Sequence, residues 1–207
     1  MRVFDVCGTL YASNTTFDFI IEYHKFHRNR LRFVWTQILL SLPFKILNRM
    51  KLVSIRRNMI HSLKGESKHE LFTFSQFFVD RYLGNKRKQE TMQLLLNDPL
   101  NSILMSASID PVVIAISHQL NVKAYSSVLE YNDEGICTGK LDVDLKGIKS
   151  NQIAQSNLEL VATDNMSDID LIKNSTLSYI ITNKSNKNVW LKLLSRNNVD
   201  LDKVVFL

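Results

Sequence analysis

The chain has 207 residues, 45% of them hydrophobic, enough to bury one good core and a smaller appendage. Its only cysteines, Cys7 and Cys137, stand in no metal-ligand spacing, which argues against a disulfide scaffold or a thiolate zinc site and fits a reducing cytoplasm. The net charge of +6 is uneven: residues 12–90 carry 15 Lys/Arg against 6 Asp/Glu, a net +9, and the rest carry 11 against 14, a net −3. That division predicts an acidic body joined to a basic insertion. With a strand expected from the first residues, no secretory signal is expected.

The first predicted element is a short apolar strand, Val3 and Phe4, leading into Asp5-Val6-Cys7-Gly8-Thr9-Leu10. It delivers a carboxylate to a Gly-containing turn with a hydroxyl four residues later. A nucleophile placed this way lies at the carboxyl end of a buried strand, where open parallel sheets bind ligands.

After Leu10 the pattern turns helical, with Phe17, Ile20, Ile21 and Tyr23 or His24 at helical spacing and Ser13 or Asn14 as caps. From Lys25 to Arg57 there are nine Lys/Arg and no acid. Within that span the apolar run Phe33 to Phe44 is shorter than the roughly 20 residues a spanning helix needs and is broken by Gln37 and Pro43. It fits two compatible readings. One is a cap helix packed through its apolar face. The other is an interfacial helix with Trp35 and Phe33 in lipid and basic flanks on anionic headgroups. No basic, aromatic-interleaved nucleic-acid module appears, so nucleic acid is not an expected partner. Further helices are predicted over Leu52 to Leu63 and Lys68 to Tyr82, the second ended by a Gly84-Asn85 C-cap. Lys86-Arg87-Lys88 is read as the solvated start of another.

From residue 91 strands and helices alternate. Asn101 to Ser108 is a buried strand ending in hydroxyls, and Asp110-Pro111 opens a helix through Leu120. Val122 to Ser126 is a strand. The alternation on both sides of Asn132-Asp133-Glu134-Gly135 is a hairpin signal that makes Cys137 a strand residue. Lys146-Gly147-Ile148-Lys149 precedes a helix expected from Ser150. Leu158 to Thr163 is a strand ending in Asp164, with Asp168 four residues later before an apolar helix. Hard oxygens clustered at strand ends suit Mg²⁺. Leu177 to Thr182, Asn186 to Arg196 and Val204 to Phe206 complete the alternation, which predicts a parallel sheet covered by helices.

In this order the motifs resemble those of the haloacid dehalogenase (HAD) superfamily, in its phosphoserine-phosphatase-like branch with a helical-bundle cap. That family's first motif, Asp-x-Asp-x-Thr/Val, matches Asp5-Val6-Cys7-Gly8-Thr9, with Cys7 where the phosphatases carry a second Asp. Ser106 matches the second motif. Lys149 matches the third with Lys146 as the alternative, since Gly147-Ile148-Lys149 is one residue shorter than the branch pattern. Asp164 and Asp168 match the fourth. The resemblance implies a doubly wound α/β core over residues 1–11 and 91–207, with a cap over 12–90. It implies an Asp5 nucleophile forming an aspartyl phosphate, and Mg²⁺ held by Asp5, the Cys7 carbonyl and Asp164 with Asp168 in support. The phosphate would be held by Gly8, Thr9, Ser106, Ala107 and Lys149. Because the family's second Asp is its acid–base group, Cys7 implies a slow phosphatase, a better leaving group or a transferase, with an inactive binding module as the rival. Some relatives with similar caps act on phospholipid phosphates. A lipid or lipid-linked phosphate ester is therefore the preferred substrate over a soluble one. An anionic membrane surface met by residues 25–57, on the cytoplasmic side, is the expected partner.

Overall fold

The computed structural model describes residues 1–153 and 158–207. Seven strands, β1 (Arg2–Phe4), β2 (Ser102–Ile109), β3 (Lys123–Tyr131), β4 (Cys137–Val143), β5 (Leu158–Thr163), β6 (Ser175–Ile180) and β7 (Val204–Phe206), form one sheet. Its order is β4-β3-β2-β1-β5-β6-β7. All neighbours pair parallel except β3 and β4 at the edge. Between β1 and β2 lie α1 (Thr15–Phe26), α2 (Arg30–Leu39), α3 (Leu42–Arg49), α4 (Ile55–His61), α5 (Lys68–Phe77) and α6 (Gln89–Leu96). α7 (Asp110–Leu120) follows β2, α8 (Ile169–Lys173) follows β5, and α9 (Lys184–Arg196) follows β6.

The period of two along the central strands sorts their side chains into two cores. Phe4, Leu104 and Ala162 belong to one cluster with Val112 and Ile116 of α7 and Met92 and Leu95 of α6. Their chain neighbours Val3, Met105 and Val161 belong to another, with Leu171 and Ile172 of α8 and Trp190 and Leu194 of α9. Helices therefore cover both faces, as the strand–helix alternation predicts. Phe19, Ile20 and Tyr23 of α1, Met59 of α4 and Leu71 and Phe74 of α5 join the first cluster, so the basic insertion and the sheet share one core.

Several local expectations give way. The apolar run Phe33 to Phe44 is divided between α2 and α3. Pro43 sits in the first turn of α3, where a missing N–H costs nothing, and the preceding Ser41 is extended. No helix among the described residues is long and apolar enough to cross a membrane. The two strands read over Val122 to Leu141 before the hairpin turn are one, β3, which pairs parallel with β2 in its first half and antiparallel with β4 in its second. Gly84 is right-handed rather than a left-handed C-cap, and α5 runs into a π-helical turn over Phe78–Leu83. Nor are Lys86-Arg87-Lys88 simply solvated: Lys86 Nζ donates to Tyr82 Oη at 2.6 Å, Arg87 to Gln119 at 2.9 Å, and the Lys88 amide to Leu10 O at 2.9 Å. They tie the end of the insertion to the β1 turn. Lys149–Gln152 is a 3-10 turn, and the rest of the helix expected from Ser150 enters residues 154–157, outside the described residues.

The chain runs outward from β1 through β2 and β3 on one side, then returns to β5 on the other. The carboxyl end of β1, flanked by β2 and β5, is thus the switch point at which such sheets hold ligands.

Candidate active site

Asp5 is the first residue past β1, its amide still donating to Ala162 O at 2.9 Å. Its carboxylate is buried, and Oδ1 accepts from the Val6 amide at 2.8 Å and pairs with Lys149 Nζ at 3.0 Å. Lys149 is itself buried and reaches Asp168 Oδ2 at 2.8 Å. Thr163, at the end of β5, donates to that same oxygen at 2.7 Å. Of the two candidate lysines, Lys149 is the one placed against Asp5; Lys146 is exposed on the cavity rim. Asp168 does stand where an N-cap would, but its side chain makes no cap hydrogen bond.

On the other side of the turn, Thr9 Oγ1 donates to Asp164 Oδ1 at 3.1 Å and accepts from the Asp164 amide at 2.9 Å. Gly8, at φ +67°, lets this clamp close: a Cβ there would lie 2.0 Å from Asp164 Oδ2. Thr91 Oγ1 fixes the turn from α6 by donating to Thr9 O at 2.6 Å.

Two cavities, of about 560 and 290 Å³, meet at Asp5, Cys7, Asn14 and Asn165. Gly8 and Asp164 line the larger; Ser106, Ala107 and Lys149 line the smaller, whose roof is Asn48, Ser54 and Arg56 of the insertion. Thr9 and Asp168 line neither. Thr9 is fully buried with its hydroxyl committed twice to Asp164, so that hydroxyl positions the Asp164 carboxylate. Asp168 sits behind Lys149. Its Oδ1 is buried and has no hydrogen-bond partner among the described residues, the kind of atom a bound water satisfies.

Charge is unbalanced here. Burial pushes the Asp5 carboxyl up to about 6, with Lys149 opposing and the charges of Asp168 and Asp164 adding to the rise. Burial alone would lower the Lys149 pKa, but the two carboxylates prevail and hold it above its ordinary value. Among the described residues no three His, Cys, Asp or Glu side chains converge on one point to hold a metal. The cavity wall does offer two carboxylates, Asp5 and Asp164, beside the Cys7 backbone. That hard-oxygen set fits Mg²⁺, which takes one or two carboxylates and keeps several waters.

Three groups around Cys7 were not legible as site residues. Cys7 Sγ lies 2.9 Å from Thr15 Oγ1 and 3.2 Å from Ser108 Oγ, and accepts from the Thr15 amide at 3.3 Å. Thr15 and Ser108 hydrogen-bond each other. Burial, and then the charge of Asp5, raise the thiol pKa above its usual value. Ser106 is buried, with Oγ accepting from the Ser108 amide at 3.2 Å. Thr163 is a further missed residue, and its one sequence signal is a hydroxyl just before the first acid of the Asp164 pair.

No family model and no curated protein matches the sequence. Solved structures do match. A Bordetella pertussis protein of unknown function aligns at TM-score 0.73 and 16% identity, over 99% of this chain and 97% of that one. A phosphoserine phosphatase, solved as a phospho-aspartyl intermediate analogue, aligns at 0.52 and 17%, over 96% and 98%. A HAD family hydrolase from Salmonella enterica serovar Typhi aligns at 0.58 and 13%, over 99% and 66%. At these identities the likeness speaks for the fold: it is the HAD fold, in the form the phosphoserine phosphatases share.

Proposed function

We propose that the chain is a Mg²⁺-dependent phosphate-monoester hydrolase working through an aspartyl phosphate on Asp5. The observation that carries this reading is the buried Lys149, within 3.0 Å of Asp5 and 2.8 Å of Asp168 at the switch point. A lysine buried against two acids at the mouth of a cavity has no packing purpose that an apolar residue would not serve better. Asp5 attacks phosphorus in line, the ester oxygen departs with the leaving group, and water then cleaves the acyl phosphate to return the carboxylate. Lys149 lowers the repulsion between the Asp5 anion and the anionic ester. Ser106 and the backbone around Ala107 and Gly8 orient the phosphoryl oxygens. Asp5, the Cys7 carbonyl and Asp164 would hold Mg²⁺, which supplies charge neutralisation at the phosphoryl group. Residues 12–90 act as the cap, since Asn48, Ser54 and Arg56 roof the smaller cavity.

The substrate class we favour is a phosphate ester on a lipid or lipid-linked group, met at the cytoplasmic face of an anionic membrane through residues 25–57. The same insertion that roofs the cavity carries exposed apolar side chains and no acid from Lys25 to Arg57. Cys7 supports a second reading, a binding module, because its raised pKa makes it a poor acid–base group.

The test is aryl phosphate turnover with and without Mg²⁺, for wild type and Asp5→Asn. Metal-dependent turnover lost in Asp5→Asn is expected. Turnover that survives Asp5→Asn refutes the nucleophile, and none in wild type favours the binding module.

A further inference from the structure

The corner between α1 and α2 and the face of α3 away from Asn48, which alone of that helix lines the catalytic cavity, form a second unusual region. On α2, Leu31, Val34, Trp35 and Ile38 are exposed at helical spacing, and Leu42 and Ile46 of α3 and Met50 at its C-cap are exposed. Leu31 is 86% and Leu42 71% exposed. No residue of α3 is buried. Trp35 meets Phe44 edge-to-face at 6.0 Å, which joins the two apolar stripes. Patches of this kind mark contact surfaces.

The charge around them is of one sign. Arg28, Arg30, Lys45, Arg49 and Lys51 are exposed and make no ion pair among the described residues. Arg32 differs, being tied to Glu66 and to Lys64 O. Arg28 closes α1 at φ +56° and Lys51 follows α3 at φ +60°. These are left-handed positions that glycine fills without strain and other residues only at roughly 1–2 kcal/mol. Both ends of the stripe thus hold a cation where the backbone would favour glycine.

Beside Leu31 a cavity of about 330 Å³ is lined by His24, Lys25, Arg28, Arg30 and Phe33. His24 is buried. Ser62 Oγ donates to Met59 O at 2.6 Å, so it accepts from His24 Nε2 at 3.0 Å and holds the ring in the wall of the cavity. Lys25 is paired with Glu22 at 3.4 Å, but Arg28 and Arg30 carry no ion pair among the described residues, and a cavity they line suits an anionic phosphodiester.

We infer that the α2–α3 face docks on an anionic lipid bilayer, with the apolar stripe in the interface and a headgroup phosphate in the cavity between Arg28 and Arg30. This extends the membrane part of the reading above and rests on it there, but not on the hydrolytic chemistry. Amphipathic helices with basic flanks bind anionic membranes through both contributions. A second copy is the poorer occupant, because a two-fold contact through this face would set its unpaired cations against themselves.

The experiment uses the full chain with vesicles of phosphatidylcholine alone and of phosphatidylcholine with phosphatidylglycerol. Co-sedimentation is expected only with the anionic vesicles, weakening as salt shortens screening to about 8 Å near 0.15 M. Of the two tryptophans, Trp190 is buried, so a blue shift on binding reports Trp35 and disappears in Trp35→Phe. Arg28→Gln with Arg30→Gln should weaken binding about 30-fold. Leu31→Gln with Leu42→Gln, both too exposed to disturb folding, should weaken it about tenfold or more. Equal binding to both vesicles, no binding, or binding indifferent to these variants overturns the inference. A dimer that Leu31→Gln with Leu42→Gln dissolves, with no vesicle binding, overturns it in favour of a second copy. Soluble aryl phosphate turnover should be unchanged in every variant. If wild type lacks that turnover yet binds vesicles, the hydrolase reading falls and the docking stands.

Discussion

Replacing Cys7 by Asp restores the one group that the resemblance to HAD phosphatases implies is missing. The position is prepared for a carboxylate: the Thr15 amide, Thr15 Oγ1 and Ser108 Oγ all lie within 3.3 Å of the sulfur, so the amide and one hydroxyl of the mutually bonded Thr15–Ser108 pair are able to donate. The wild-type thiol serves poorly. An unperturbed thiol near 8.5 is only about 3% ionised at pH 7, and burial and Asp5 lower that fraction further. Giving up its proton would leave a thiolate beside a carboxylate. Acid–base assistance is worth about 10²–10⁴ in rate, or roughly 3–5 kcal/mol of barrier. The assay compares kcat/KM for an aryl phosphate, whose phenolate departs without a proton, with that for an alkyl phosphate. Wild type should strongly favour the aryl ester. Cys7→Asp should accelerate the alkyl ester by up to the full factor and leave the aryl ester nearly unchanged, while Cys7→Ser should match wild type. If Cys7→Asp leaves the gap as it was, or Cys7→Ser abolishes both reactions, the reasoning is wrong.

Other consequences are as specific. Lys149→Met leaves Asp5 and Asp168 buried without their counter-charge and should cost about 3–5 kcal/mol in denaturant unfolding as well as turnover; unchanged stability would mean the pair is hydrated. Gly8→Ala adds a Cβ 2.0 Å from Asp164 Oδ2 at a left-handed φ, so it should displace that carboxylate and weaken Mg²⁺ binding measured by calorimetry. Asp110 is buried, and burial lifts its carboxyl from 3.8 to about 6 although Oδ1 accepts from the Leu129 amide at 2.9 Å. The folded state therefore holds the proton more tightly. This contribution is intact below about pH 4 and lost as pH rises through about 6, a change of at most about 3 kcal/mol. Asp110→Asn should flatten that slope and raise Tm at pH 7 more than at pH 4; equal shifts at both would refute it.

The parts of the site that could be read in the sequence are those encoded locally. Asp5 and Asp164 each end an apolar strand and meet a turn, so their place at the sheet's carboxyl edge follows from a few residues. Lys149 needed the order of motifs, because burial of its ammonium depends on Asp168, 19 residues away. The walls around Cys7 were out of reach. Ser108 lies 101 residues from Cys7, and nothing in its neighbourhood distinguishes it from a turn hydroxyl. The second task of Thr9 was out of reach for a related reason: nothing in its local sequence shows that its hydroxyl clamps Asp164, 155 residues away. β3 was split in two because it changes partner midway, and its register shift there leaves no residue signal.

The charge of the site bears on both functional readings. Asp5 and Asp168 share the buried Lys149, Lys88 and then Lys149 oppose the burial of Asp164, and a phosphate ester would bring its negative charge directly against the Asp5 and Asp164 carboxylates. Two unit charges 4 Å apart at an effective dielectric of 20 repel by about 4 kcal/mol. A module that merely bound phosphate would therefore still set it against Asp5 and Asp164, and would need a divalent cation as much as an enzyme does. Metal dependence of ligand binding consequently does not separate the two. Cys7 does. A binding module loses nothing by lacking an acid–base group and gains nothing from Cys7→Asp. A hydrolase limited at that position answers the same substitution with a faster alkyl ester, at unchanged affinity for Mg²⁺.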